Sequence, residues 1–329
     1  MTNADPIGGY FALDLGTGVA LPWMGRALAT QSARLALRCA LSGRAPSVLW
    51  VPDFYCPSAR AVFAQCGWKV CGYPLSAEWG CDGAFTLQDG DVVLLVDFFG
   101  LTGDVVRTDT QRFGSSNVII DAAMSLGFEA PKDVPVAYSP RKFTGVPDGG
   151  WLLNSPAGLC IETADEAGSL ARCSHLLRRA AGDVAGGRED FIRAELSLTF
   201  DQLPRAMSAL TTNLLSGIDF PALLVRRREN YRALAIGLAH LGVAPPPLPS
   251  GAAPLCCPAP LRNAARVRER LATLGIFCAG YWPELSLPAS DQVAAALRDD
   301  TLYLPIDQRY GHSHMSEIID RLADTMEQS

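Results

Sequence analysis

Apolar and polar positions along this chain switch between a helical period and short two-sided runs, and that switching sets out the architecture. Around residues 30–41, Leu35, Leu37 and Leu41 fall near one face of a helix that Ser42-Gly43 ends. Short apolar runs follow. Residues 47–51, 69–73, 91–97, 117–121 and 134–138 read as strands, and 57–66 as a helix closed by Gly67. Trp151-Leu152-Leu153 comes after a Gly-Gly turn and offers one more strand. Runs that are apolar on both faces, separated by crossovers, predict a mostly parallel sheet covered on both sides. Residues 163–241 are mainly helical, interrupted at 181–187, and 220–241 form a long connecting helix. A proline-rich stretch of small residues, 243–260, marks the entry to a second lobe. That lobe reads as a strand near Leu255, a helix at 262–274, a strand at 276–279, a helix at 289–297, a strand at 301–304 and a last helix from about Ser313. The expected fold class is α/β. An N-terminal arm spans 1–25, a large domain with a mostly parallel mixed sheet spans 26–225, and a small C-terminal α+β domain spans 226–329.

Composition narrows the function. The 329 residues are enough for one large core plus a smaller lobe, and 49% apolar with 19% charged residues describes a globular chain. A net charge of −6 with scattered arginines argues against nucleic acid as a partner. No apolar stretch reaches membrane-spanning length, and Met1-Thr2-Asn3-Ala4-Asp5-Pro6 lacks the basic and apolar parts of a signal peptide. Ten cysteines form no CxxC pair, and Cys256-Cys257 are adjacent. Cys39, Cys66, Cys71, Cys160 and Cys278 sit in apolar, core-like surroundings. Free thiols in a reducing cytoplasm are expected.

Three lysines are present, Lys69, Lys132 and Lys142, among 28 basic residues. That scarcity reads as codon bias, so position rather than rarity carries the argument. Lys142 lies in Ser139-Pro140-Arg141-Lys142-Phe143-Thr144-Gly145-Val146-Pro147-Asp148-Gly149-Gly150, and Asp121 ends the apolar run Asn117-Val118-Ile119-Ile120. Pyridoxal phosphate (PLP) needs an amine to hold it as a Schiff base and a carboxylate to keep its pyridine nitrogen protonated. Ligands of open α/β sheets bind at the carboxyl ends of strands, where Asp121 stands, and Ala122 and Ala123 let a flat ring approach. A Schiff-base lysine attacks when neutral, and Arg141 and Phe143 supply a cation and an apolar neighbour. The ordinary readings are a capping aspartate and a solvated lysine; the two residues together favour chemistry.

The cofactor's phosphate needs a seat. Gln31, Ser32 and Ala33 open a helix whose free N–H groups suit an anion, although Thr30 or Ser32 equally serves as a plain N-cap. Ser139 is a second candidate. In Val51-Pro52-Asp53-Phe54-Tyr55-Cys56-Pro57, Tyr55 offers a ring to stack on the cofactor or to pack in the core, while Phe54 reads as core. Other constellations fall short. His312 and His314 lack a third ligand for a metal, Cys56 has no paired histidine, and Gly16-Thr17-Gly18 does not follow a strand.

These segments, in this order, resemble the DegT/DnrJ-type sugar aminotransferases, which are fold-type I PLP-dependent transferases. The likeness runs through Gln31-Ser32, the 51–57 turn, Asp97-Phe98-Phe99-Gly100, Ile120-Asp121-Ala122-Ala123, the lysine segment, Arg227-Arg228-Glu229-Asn230-Tyr231 and Leu304-Pro305-Ile306-Asp307-Gln308-Arg309-Tyr310. The resemblance implies that Lys142 is the Schiff-base lysine and Asp121 the partner of the pyridine nitrogen. Gln31, Ser32, Ala33 and Ser139 would hold the phosphate, and the ring would lie near Tyr55 or Cys56. Phe99, Arg309 and Tyr310 are placed on the substrate side. It implies a cytoplasmic homodimer with interface active sites that moves an amino group to a keto group of a sugar or nucleotide-sugar. The family commonly has Gly-Thr where this chain has Gln31-Ser32, and His or Gln where it has Met124. Two other readings stand beside this one: a PLP-dependent lyase, dehydratase or racemase, and a non-catalytic member that binds a ligand or partner.

Overall fold

The computed structural model describes residues 13–83, 85–200 and 204–327, with only the backbone of Phe200. The first twelve residues of the expected arm lie outside the described residues. A seven-stranded sheet dominates: β1 (Leu28–Thr30), β2 (Val48–Pro52), β3 (Lys69–Tyr73), β4 (Val92–Val96), β5 (Val118–Ala122), β6 (Val136–Tyr138) and β7 (Gly150–Leu153), in the order β1-β7-β6-β5-β4-β2-β3. The pairs from β3 through β6 are parallel; β7 runs antiparallel to β6 and to β1. Strands β4 and β5 are buried at every position, which is why they read as unbroken apolar runs.

Helices α1 (Ala33–Ala40), α2 (Pro57–Gln65) and α3 (Gly103–Phe113) make the early crossovers. Next come α4 (Glu166–Ala171), α5 (Ser174–Ala180), α6 (Gly187–Phe200) and α7 (Ala209–Ser216), then α8 (Phe220–His240). The C-terminal part pairs β8 (Cys256–Pro260) antiparallel with β9 (Thr301–Pro305), with α9 (Ala264–Thr273), α10 (Gln292–Asp299) and α11 (His312–Glu327) around them. The boundary expected between residues 225 and 226 falls inside α8, which runs on without a break.

Caps explain several element starts. Ser32 is extended and its hydroxyl accepts the Leu35 N–H, so α1 begins at Ala33 rather than Thr30. Thr30 ends β1 instead, paired with Gly150. Asp219 caps α8 ahead of Pro221 in the first turn, and Asp291 caps α10 by accepting from Ala294, which moves that helix start past 289. The strand expected at 276–279 does not form. Only Ala279 bridges to Tyr303, and Phe277 is exposed to solvent. All ten cysteines are free, and Cys160 is exposed rather than core-like.

One seam positions the lysine segment against α1. Gly149 N–H donates to Gln31 O at 2.6 Å. A Cβ on Gly150 would lie 2.3 Å from the Ser32 carbonyl carbon and 2.5 Å from Ala33 N, both backbone atoms that have no rotamer to yield. Gly25 faces open space. Gly150→Ala is expected to destabilise the protein by about 1–3 kcal/mol in urea unfolding, as overpacking does, with Gly25→Ala within about 0.5 kcal/mol of wild type. Equal midpoints for the two variants would remove the seam from the account.

Candidate active site

Asp121 is the last but one residue of β5, opposite Val96 of β4 and Ala137 of β6. Its carboxylate is buried and both oxygens are engaged. Ala123 N–H donates to Oδ1 at 2.8 Å, and Tyr55 Oη donates to Oδ2 at 2.8 Å. Burial pushes the carboxyl up; the Ala123 N–H, the charge of Lys142 and the Tyr55 hydroxyl pull it back. The amine predicted from sequence therefore acts on the acid predicted from sequence. Lys142 ends a single turn, Pro140–Lys142, directly after β6, and is exposed. Its charge also reaches the Cys256 thiol at the start of β8, which hydrogen-bonds Tyr281.

Tyr55 is fully buried, and its bond to Asp121 ties the 51–57 turn to the sheet edge. Cys56 caps α2 in position only, without a side-chain cap bond; its Sγ lies 3.1 Å from Ser58 Oγ. Gln31 and Ser32 are buried at the start of α1, with Ala33 partly covered. Ser139 is buried just before the lysine turn and makes no capping bond.

The substrate-side candidates separate. Phe99 has no exposed surface. It packs among Trp79, Tyr281 and Tyr303, with ring centroids at 5.9, 5.1 and 4.8 Å. Phe99, Trp79 and Trp282 all hold left-handed backbone, at φ 57°, 66° and 51°, a costly conformation for bulky residues that concentrates at functional sites. Arg309 pairs with Asp307 and lies over the Tyr310 ring. Both line a cavity of about 520 Å³ with Arg179 and Val184, and neither Lys142 nor Asp121 borders it. Their turn still touches the lysine segment, because Gln308 Nε2 donates to Phe143 O at 2.7 Å.

Arg227, which stands in the sequence as one of three consecutive arginines, organises this junction. It is 2% exposed, and among the described residues it pairs with no carboxylate. Its guanidinium donates to Leu255 O at 3.0 Å, Pro254 O at 3.3 Å and Gln308 Oε1 at 3.1 Å, and stacks 4.6 Å from the Phe143 ring centroid. Burial lowers its pKa to about 10. A long helix with an arginine about two turns in gives no sequence signal of that depth. Trp282, which packs 4.9 Å from Phe54 and 6.4 Å from Tyr55, was equally unread.

Among the described residues no three potential ligands gather to hold a metal. The residues do fit PLP. Each Asp121 oxygen accepts one hydrogen bond, and a carboxylate offers about four lone-pair positions, so acceptor capacity remains for a pyridinium N–H. At the start of α1, Gln31 Nε2 is a buried donor with no partner, the kind of group a phosphate oxygen satisfies.

No protein-family model and no curated protein matches the chain. Solved structures do. Over 92% of this chain and 86% of the other, the fold matches the aminotransferase TlmJ from Streptoalloteichus hindustanus with a TM-score of 0.64 at 16% identity. A DegT/DnrJ/EryC1/StrS aminotransferase from Brucella abortus matches over 92% and 87% with a TM-score of 0.61 at 17% identity. A Streptococcus pneumoniae protein named for a sugar aminotransferase activity and solved in a PLP form matches over 93% and 88%, with a TM-score of 0.63 at 15% identity. The chain has the fold of the fold-type I aminotransferases.

Asp97 supplies a titration to test. It ends β4 beside Asp121, is fully buried, and accepts from Thr102 N–H at 2.9 Å. Burial pushes its carboxyl from 3.8 up to about 6, against hydrogen bonds from Ser125 and Thr102. An acid held above its ordinary value binds its proton more tightly folded than unfolded. Stability therefore falls as pH rises from about 4 to about 6 and levels off above that. Asp97→Asn removes the titration. Between about pH 4 and about pH 7, wild type is expected to lose about 2–3 kcal/mol relative to the variant in urea unfolding. A constant difference would show that Asp97 is not the titrating group.

Proposed function

We propose that this chain is a PLP-dependent aminotransferase of the DegT/DnrJ type, acting on a keto group of a sugar or nucleotide-sugar. The observation that carries the reading is the buried Asp121 at the sheet's carboxyl edge, where burial pushes its pKa up and the nearby Lys142 charge opposes that rise. In this reading Asp121 accepts the pyridine N–H, Lys142 is the covalent anchor, and Gln31, Ser32, Ala33 and Ser139 hold the phosphate. Tyr55 donates to Oδ2, which favours the charged form of Asp121 against the effect of burial. When bound, PLP supplies an electron sink at its protonated ring. Lys142, which is exposed, would serve as the general base, its Nζ accepting the proton released from the Cα of the amino donor. Phe99, which has no exposed surface, acts through packing rather than by touching substrate, and Arg309 and Tyr310 are assigned to the substrate side only through the Gln308–Phe143 bond that ties their turn to the lysine segment. The large domain ends and the small one begins along α8.

We further infer a homodimer. Its support is the apolar surface of α5 and α6, where Leu177, Phe191 and Leu196 are 61%, 47% and 49% exposed. Ten free thiols support a cytoplasmic setting.

Purified protein mixed with PLP is expected to turn yellow, and borohydride to fix the label on Lys142, as read by peptide mass. Lys142→Ala is expected to lose the label and about 10²–10⁴-fold of the amino transfer from glutamate to a keto sugar. Label retained on Lys142→Ala assigns the anchor elsewhere. A wild-type label without amino transfer favours a lyase, dehydratase or racemase, and a colourless protein that ignores PLP favours the non-catalytic member.

A further inference from the structure

A second arginine lies at the mouth of α1, and the resemblance assigns it nothing. Arg34 occupies the second position of the helix. With Gln31, Ser32, Arg38, Gln65 and Thr199 it lines a cavity of about 90 Å³ between α1, α2 and α6. That volume takes several waters, or one tetrahedral oxyanion, and is too small for a nucleoside. Among the described residues Arg34 makes one hydrogen bond, from Nη1 to Ser58 Oγ at 2.8 Å, and no ion pair. Glu195 on α6, whose charge acts on Arg34, is itself paired with Arg141. Burial lowers the Arg34 pKa, and the charges of Cys56 and Glu195 oppose the shift. A desolvated guanidinium bonded only to a neutral hydroxyl has donors and charge to spare.

Gln31 points independently to a ligand. It is 3% exposed and lines the same cavity, and its Nε2 has no partner. The N-terminus of α1 adds free N–H groups and the positive end of the helix dipole. We propose that Arg34 is the counter-charge of a phosphate monoester dianion seated between Gln31 and the first turn of α1. This deepens the cofactor reading above: where a glycine would let the backbone wrap the phosphate, this chain uses a guanidinium and a buried amide. The phosphate belongs either to PLP itself or to a free or substrate-borne phosphate.

The test compares wild type, Arg34→Met, Gln31→Leu and Ser58→Ala, each confirmed folded by circular dichroism. Three probes are used: PLP, pyridoxal without its phosphate, and inorganic phosphate alone. Binding of the first two is read by absorbance and of the third by the shift in Tm. Wild type is expected to prefer PLP to pyridoxal strongly. Arg34→Met is expected to cut that preference by about tenfold or more, the scale of a charge-assisted contact, while its pyridoxal affinity stays unchanged. Gln31→Leu is expected to weaken the preference while keeping the charge, and Ser58→Ala to leave it intact. Loss of PLP preference in Arg34→Met, without any effect of inorganic phosphate on wild type, identifies the cofactor's own phosphate. A phosphate-induced Tm shift that needs Arg34, in a protein that binds neither PLP nor pyridoxal, keeps the phosphate seat and overturns the cofactor reading. The proposal is overturned if Arg34→Met retains the wild-type PLP preference and Tm shift. It is equally overturned if wild type shows neither response.

Discussion

The site depends on one carboxylate withdrawn from water. Burying an unpaired carboxylate costs several kcal/mol even after the protein relaxes, enough to keep it protonated at neutral pH. Hydrogen bonds to a charged acceptor return about 1.5–3 kcal/mol each, so the two that Asp121 accepts offset much of that cost. The surrounding geometry follows from supplying them. The Ala123 amide comes from the turn that leaves β5, and the Tyr55 hydroxyl crosses 66 residues of sequence to arrive from the β2–α2 turn. Lys142 completes the balance with charge rather than contact.

The C-terminal part is tied to this arrangement by a buried cation that, among the described residues, makes no ion pair. Arg227 spends its donors on the carbonyls of Pro254 and Leu255 and on the amide of Gln308, and its face on Phe143. Asn230, one turn along α8, reaches the carbonyls of Ile306, Asp307 and Tyr310. One helix face thus fixes both the entry to β8 and the turn after β9 relative to the residue next to Lys142. Carbonyl partners satisfy its donors without neutralising it, and the charge of Asp307 acts on it from the turn after β9.

Much of this was legible in sequence because it rests on local pattern. The buried strands β4 and β5 announce themselves as unbroken apolar runs, and Asp121 stands out as the acid that ends one. The placement of Lys142 directly after a buried strand follows from the apolar run before it and the glycines after it. What failed depended on partners far along the chain. Nothing near Tyr55 says that its hydroxyl meets Asp121, and nothing near Arg227 says that it is buried. Residues 276–279 look like a strand, yet the edge of the two-stranded sheet takes only Ala279. Thr30 was drawn into the helix because its hydroxyl suits a cap, while Ser32, two residues on, holds that position. The aromatic ring around Phe99 and Trp282 was hidden for the same reason: left-handed backbone at a bulky residue is set by its surroundings and carries no local signature.

The glycine contact between β7 and α1 has a consequence for how such a site can diverge. With Gly149 bonded to Gln31 and Gly150 lying flat on Ser32, the end of the lysine segment and the first turn of α1 share one rigid frame. Neither can be re-aimed without dragging the other. A substitution that shifts the 149–150 turn is therefore felt at once at the start of α1, and the spacing of the two segments is set by backbone rather than by side chains that could be exchanged.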